Sequence, residues 1–150
     1  MNLILFQPDI PQNTGTLIRL GACVGVPVHI IEPCGFPFDD KKVRRSAMDY
    51  YDHAQVTRHT SWQAFLDFRR NMPNSRLLLL SAHASTPYTQ FQYKKDDMLL
   101  LGRESAGVPD YVRQAADAGL TIPMQGSTRS LNVALAASMV LGEALRQIRD

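Results

Sequence analysis

Short apolar runs alternate with amphipathic stretches along the chain. "LILF" (3–6) is closed by Pro8 and Pro11 and reads as a buried strand. "NTGTLIRLGACVG" (13–25) places Leu17, Leu20 and Val24 on one helical face, with Asn13 as its capping residue, Cys23 in its core and Gly25 as its stop. "VHIIE" (28–32) is a second strand, in which His29 reads as a satisfied core or edge histidine. "DDKKVRRSAMDYYDH" (39–53) opens on aspartate and carries a basic face, which predicts a helix, and "AQVTRH" (54–59) a short strand. "SWQAFLDFRRN" (61–71) is a helix capped at Ser61, with Trp62, Phe65, Leu66 and Phe68 on its apolar side. "RLLLLSA" (76–82) and "DMLLLG" (97–102) are wholly apolar strands, and "PDYVRQAADA" (109–118) is a helix with proline near its first turn. "LTIPM" (120–124) is the last strand, and the last helix follows within 122–145. Continuous apolar strands alternating with helices predict an α/β fold: a mostly parallel sheet with helices on both faces. There is no internal repeat, linker or low-complexity tract, so 1–150 is expected to be a single domain.

Composition narrows this picture. A net charge of +2 is too small to demand a nucleic-acid partner. Cys23 and Cys34 have neither metal-ligand nor redox-motif spacing, which fits free thiols in a reducing compartment. The first residues lack the basic, apolar and cleavage regions of a secretory leader. No uncharged apolar run approaches the ~20 residues of a membrane helix. No membrane, no metal and a cytoplasmic location are the expectations.

In such a sheet, ligands bind beyond the carboxyl ends of the strands. Three glycine-bearing loops fall there: "PDIPQNTGTLIR", "GRESAGVP" and "PMQGSTRSLN". Any one of them alone reads as turn chemistry, but three in one small domain point to a shared pocket. "GRESAG" is followed by Val108 and Pro109 where a phosphate-binding P-loop needs Lys and Ser or Thr, and no G-x-G-x-x-G occurs. His29, His53, His59 and His83 are scattered, and no base can be assigned to Cys34, so a metal or nucleophilic hydrolase fits poorly.

"NTGTLIR" (13–19), "GRESAGVP" (102–109) and "IPMQGSTRSLNVALAAS" (122–138), in this order and spacing, resemble the SPOUT-superfamily RNA 2′-O-methyltransferases. With "IIEPCGFPFDDKKVRRSAMDY" (30–50), the chain is most similar to the minimal subfamily that methylates the wobble ribose of tRNA. The resemblance runs essentially end to end. It implies S-adenosylmethionine as cofactor, tRNA as substrate (the wobble cytidine or uridine of leucine tRNAs), a homodimer and a C-terminal trefoil knot. It implies cofactor contacts at Leu80, Gly102, Ile122 and Ser130, with Met124 and Leu131 as pocket walls. Read without it, Leu80 and Ile122 are plain strand core.

By the same resemblance, Arg19 acts at the reacting hydroxyl. A guanidinium carries only donors and does not give up its proton in proteins. The expected role is therefore to clamp a phosphate and orient the hydroxyl, while phosphate or water takes the proton. Apart from the motif, Arg19 is a helix-surface charge. Asn13 is expected to fix its loop and contact RNA, and Glu104 to order its own loop. Lys41, Lys42, Arg44 and Arg45 are either tRNA-phosphate contacts or a solvated helix face offset by Asp39 and Asp40. Gly142, where relatives often carry an aromatic, predicts a gap or close approach in the last helix. Other classes consistent with the sequence are a 2′-O-methyltransferase for another RNA position, a non-catalytic RNA-binding SPOUT protein, and a flavodoxin-like small-molecule binder.

Overall fold

The computed structural model describes residues 1–128 and 130–149. Seven strands, β1 (Asn2–Phe6), β2 (Val28–Ile31), β3 (Val56–His59), β4 (Leu77–Leu80), β5 (Thr86–Pro87), β6 (Met98–Leu101) and β7 (Ala118–Thr121), form one sheet in the order β3-β2-β1-β6-β4-β7-β5. Every pairing is parallel. Alternate residues of these strands enter two separate cores. Leu3, Leu5, Val28, Ile30, Leu99 and Leu101 face α1 (Pro11–Val24), α2 (Lys41–Ala47) and α5 (Val133–Arg149). Ile4, Phe6, Ile31, Met98 and Leu100 face α3 (Trp62–Arg69) and α4 (Asp110–Ala115). Helices thus cover both faces, which is why the central strands are apolar on both sides.

The elements depart from the sequence reading where backbone chemistry overrides periodicity. Helix α1 starts at Pro11, because proline pre-sets the helical φ and loses no needed donor at the first turn. Asn13 is therefore inside the helix, and the capping position is Ile10, with no side-chain cap. Cys23, expected in the core, is exposed. The helix ends as expected at Gly25, in the left-handed region at φ 68°. The stretch 39–53 is two elements: α2, capped by Asp40 accepting from the Lys42 amide at 2.7 Å, then a 3₁₀ segment, Met48–His53. The break is Met48, at φ 54°.

Helix α4 stops at Ala115 because the next residues join the sheet. Asp117 donates its amide to the Leu77 carbonyl and accepts from the Leu77 amide through Oδ2, both at 2.8 Å or less, so β7 begins at Ala118. Beyond Thr121, Pro123 has no amide to offer a ladder. The two-residue edge strand β5 was not expected.

Candidate functional site

Strands β1 and β6 are neighbours, but the helices that follow them pack on opposite faces of the sheet. That divergence opens a crevice at the carboxyl ends of the strands. A cavity of about 550 Å³ lies there, within the size range of sites for drug-sized ligands. Its walls come from the loops after β1, β4, β6 and β7 and from the start of α5. Leu80, Gly102, Ile122, Met124, Ser130 and Leu131 all line it, as does Asn13. Leu80 and Ile122 are half-buried: they pack against the core and also line the cavity.

The loop after β6 is a tight closure. Arg103 and Gly107 exchange two backbone hydrogen bonds of 2.9 Å, with Gly107 at φ 63°. A Cβ on Gly102 would stand 2.7 Å from the Gly107 carbonyl carbon. Glycine is required there by its own loop, in addition to any ligand. Glu104 ties this loop to the first: its Oε2 accepts from the Asp9 amide, and its amide donates to Asp9 Oδ1, each at 3.1 Å. The Ser105 hydroxyl also donates to Asp9. Burial, and then the Asp9 carboxyl beside it, push the Glu104 carboxyl above the usual range. Glu104 orders two loops rather than one.

The third loop turns at Gly126 (φ 58°), with the Thr128 hydroxyl donating to the Gln125 carbonyl at 2.6 Å. Asn132 then joins two walls. Its side-chain nitrogen donates to Asn13 Oδ1 at 2.9 Å, while its oxygen accepts from the Ala134 and Leu135 amides at 2.9 and 3.3 Å. It therefore caps α5, satisfying amides that have no partner within the helix. Asparagine just before an apolar helical run is a legible signal that the sequence reading passes over. Also missed are Ser81, Ala82 and His83 after β4, and Arg103 and Arg113, which all line the cavity. The two arginines add cationic character to it.

Arg19, Lys41, Arg44 and Arg45 do not line the cavity. Asn13 and Arg19 are six residues apart, about 9 Å along α1 and about 120° around it. Arg19 is exposed, donates to the Met48 sulfur at 3.0 Å, and lies over the Tyr50 ring at 5.1 Å. Arg44 lies over Tyr51 at 4.8 Å. The described residues contain no cluster of three or more His, Cys, Asp or Glu that could hold a metal. His29 is buried against His59, Nδ1 to Nε2 at 3.0 Å, which makes it a satisfied core histidine. Burial pushes the Cys34 thiol up to about 11, so it is not a ready nucleophile. No described helix is long and apolar enough to cross a membrane.

Fold and site together define a parallel α/β domain with a switch-point cavity lined by loop backbone and mostly apolar side chains. Comparison with known proteins then narrows the class. Residues 1–142 match the SpoU rRNA Methylase family, and the chain belongs to it. The tRNA (cytidine(34)-2′-O)-methyltransferase of Beijerinckia indica subsp. indica is 56% identical over 146 residues, 97% of this chain and 91% of that protein. The protein of the same description from Escherichia coli K12 is 39% identical over 150 residues, 99% and 94% of the two chains. A solved structure described by the 2-OH methylation of C/U34 on tRNA superposes with a TM-score of 0.92 at 38% identity, covering 97% of this chain and 94% of the other. The SpoU methyltransferase AviRb of Streptomyces viridochromogenes, in complex with the cofactor AdoMet, gives 0.90 at 28% identity, over 98% of this chain and 60% of that one.

Proposed function

We infer that this chain is an S-adenosylmethionine-dependent methyltransferase acting on the ribose 2′-hydroxyl of tRNA at the wobble position. Family membership and the relatives described as C34 methyltransferases support the reaction and its substrate. The observation that carries the site is the convergence of Leu80, Gly102, Ile122, Met124, Ser130 and Leu131 on one cavity. Its volume suits the cofactor. Apolar side chains would sandwich the adenine, and exposed strand-end amides and carbonyls would read its edge. The cofactor, when bound, supplies an activated methyl group. What remains for the chain is to bind and orient two partners, from which much of the barrier reduction can come. That accounts for a site with no metal cluster and no poised nucleophile among the described residues.

Arg19 clamps a phosphate next to the target ribose and orients the 2′-hydroxyl, and phosphate or water takes the proton. Asn13, held by Asn132, fixes the first loop at the substrate side of the cavity. Lys41, Arg44 and Arg45 extend the cationic surface along the RNA backbone. Because Arg19 lies outside the cavity of its own chain, the reading includes a homodimer, in which the Arg19 surface of one copy meets the cofactor cavity of the other. The exposed Leu135 (61%) and Met139 (43%), one turn apart on α5, with open space at Gly142, support that contact. The reading also includes a single domain, a C-terminal trefoil knot, a cytoplasmic location and leucine tRNAs as targets. For the knot, the support is that β7 inserts between β4 and β5 instead of adding at an edge.

The test is mass-spectrometric mapping of ribose methylation after incubating purified protein with S-adenosylmethionine and unmodified tRNA. Methylation at position 34 is expected. Cofactor binding by calorimetry without methylation of any tRNA would leave a binding protein and defeat the enzyme reading.

A further inference from the structure

Gly15 and Arg19 are four residues apart and so share one face of α1. At Gly15 the face is bare, and α2 comes into backbone contact: a Cβ there would overlap the Val43 carbonyl oxygen and stand 2.5 Å from Ser46 Cβ. One helical turn further along α1, the same approach delivers the end of α2 to Arg19. There the chain breaks at Met48, a non-glycine residue held at φ 54°, ψ −147°. Such backbone is costly and persists only where the surroundings enforce it. The break turns the Met48 side chain and the following 3₁₀ segment back onto the guanidinium. The thioether accepts from Nη1 at 3.0 Å, and the Tyr50 ring lies 5.1 Å from the guanidinium carbon. Met48 and Tyr50 are 53% and 38% exposed, so this is a clamp on the protein surface rather than core packing.

A guanidinium on a free four-bond stem samples many rotamers, and each ordered rotor has to be fixed before it can orient a hydroxyl. An aromatic face and a soft sulfur hold the cation without neutralising it. A carboxylate partner would compete with phosphate, whereas a ring and a thioether leave the remaining N–H donors free. We propose that the Met48–Tyr50 turn is a positioning device for Arg19: it fixes the guanidinium plane, so that its unused donors are pre-aimed at the substrate ribose and phosphate. The proposal rests on the role of Arg19 stated above and assigns Met48 and Tyr50 as positioning residues for the methyl-transfer step.

Single-turnover methylation, with tRNA and S-adenosylmethionine both saturating, reads the effect. Tyr50→Leu removes the ring and should lower the rate about 10- to 100-fold, the loss typical of a misplacement near 1 Å, while tRNA and cofactor affinities change less than about threefold. Tyr50→Phe keeps the face and should recover most of that rate. Combined with Arg19→Ala, Tyr50→Leu should add no further loss, because nothing is left to position. A neutral Tyr50→Leu, or an equal loss in the Arg19→Ala background, overturns the proposal. A Tyr50→Leu loss that appears wholly in tRNA affinity overturns it too, making Tyr50 an RNA contact. An active Arg19→Ala protein would instead defeat the underlying role of Arg19, and the clamp with it. Circular dichroism melts of Tyr50→Leu and Tyr50→Phe separate these results from loss of fold.

Discussion

Gly15→Ala is a one-carbon change whose consequences for the fold and for the chemistry should part company. The added Cβ would overlap the Val43 carbonyl oxygen and stand 2.5 Å from Ser46 Cβ, where apolar carbons prefer about 3.5–4.0 Å. The obstructing oxygen is backbone and cannot rotate away, so α1 and α2 must separate by about 1 Å. Overpacking of this kind costs about 1–3 kcal/mol. Replacing glycine by alanine inside a helix returns about 1 kcal/mol. The net destabilisation is therefore modest, about 0–2 kcal/mol, and a urea melt should still show a cooperative fold. The turn after α2 moves with its helix, however, and Met48 and Tyr50 hold Arg19. A displacement near 1 Å at a positioned group is worth about 100-fold in rate. Single-turnover methylation should fall by about 10- to 100-fold, with cofactor affinity retained, because only Asn13 and Ile10 of this region line the cavity. A Gly15→Ala protein that is stabilised by the full helix-propensity gain and methylates at the wild-type rate would refute the argument.

Gly102→Ala should weaken S-adenosylmethionine binding measured by calorimetry at least tenfold, because its Cβ meets the Gly107 backbone at 2.7–2.8 Å and must open the loop that walls the cavity. Unchanged affinity would show that the loop gives way without reshaping the site. Burial, and then the neighbouring His59, push His29 down to about 4. Between pH 6.5 and 4 the unfolded chain thus binds the extra proton, and stability should fall with falling pH by up to about 3 kcal/mol; urea midpoints across that window check it, and His29→Gln should flatten the slope. Asp97 is fully buried and accepts from Arg76 Nε and Nη2 and from the Lys94 amide at 2.7–2.8 Å. Asp97→Ala should cost about 3 kcal/mol or more in a denaturant melt. Leu135→Glu with Met139→Glu should halve the sedimenting mass of the purified protein, and a wild type that already sediments as a monomer would defeat the dimer.

The sheet was legible because its central strands are apolar on both sides, and only a sheet buried on both faces demands that. The helices were legible from their periodicity, but their ends were not. At Asn13 a good capping residue was outcompeted by Pro11 two positions earlier. At Met48 a left-handed residue carries no glycine to announce it, so one expected helix became two elements. The His29–His59 contact depends on which strands lie side by side: pairing Ile31 with His59 sets His29 diagonally across from it, and pairing is not written in either strand alone. For the cavity, the three glycine loops pointed to the correct end of the sheet. Leu80 and Ile122 could be placed in it only through the family resemblance, because an apolar strand-end residue looks the same whether it packs on a helix or on a ligand. The loop after β4 escaped notice for the opposite reason. Ser81, Ala82 and His83 carry no glycine and no motif, and they join the site only because β4 lies beside β6.

Helix α1 connects these observations. Its first turn carries Asn13 into the cavity wall, where Asn132 holds it at the cap of α5. Its second turn presents bare Gly15 to α2, and its third carries Arg19 to the turn that α2 ends in. A straight helix cannot aim residues 13 and 19 at one point, since they diverge by about 120°. In one chain, the cavity and the guanidinium therefore face different directions. Any reaction that needs both at a single ribose requires the second to come from elsewhere. The two-fold pair proposed above would supply this twice over, because an isologous contact that brings one Arg19 to the other cavity brings the reciprocal pair together as well. The rigidity of α1, fixed at one end by Asn132 and along its flank by α2, then matters for more than stability. In that proposed pair it would set the angle between the two half-sites that each chain contributes.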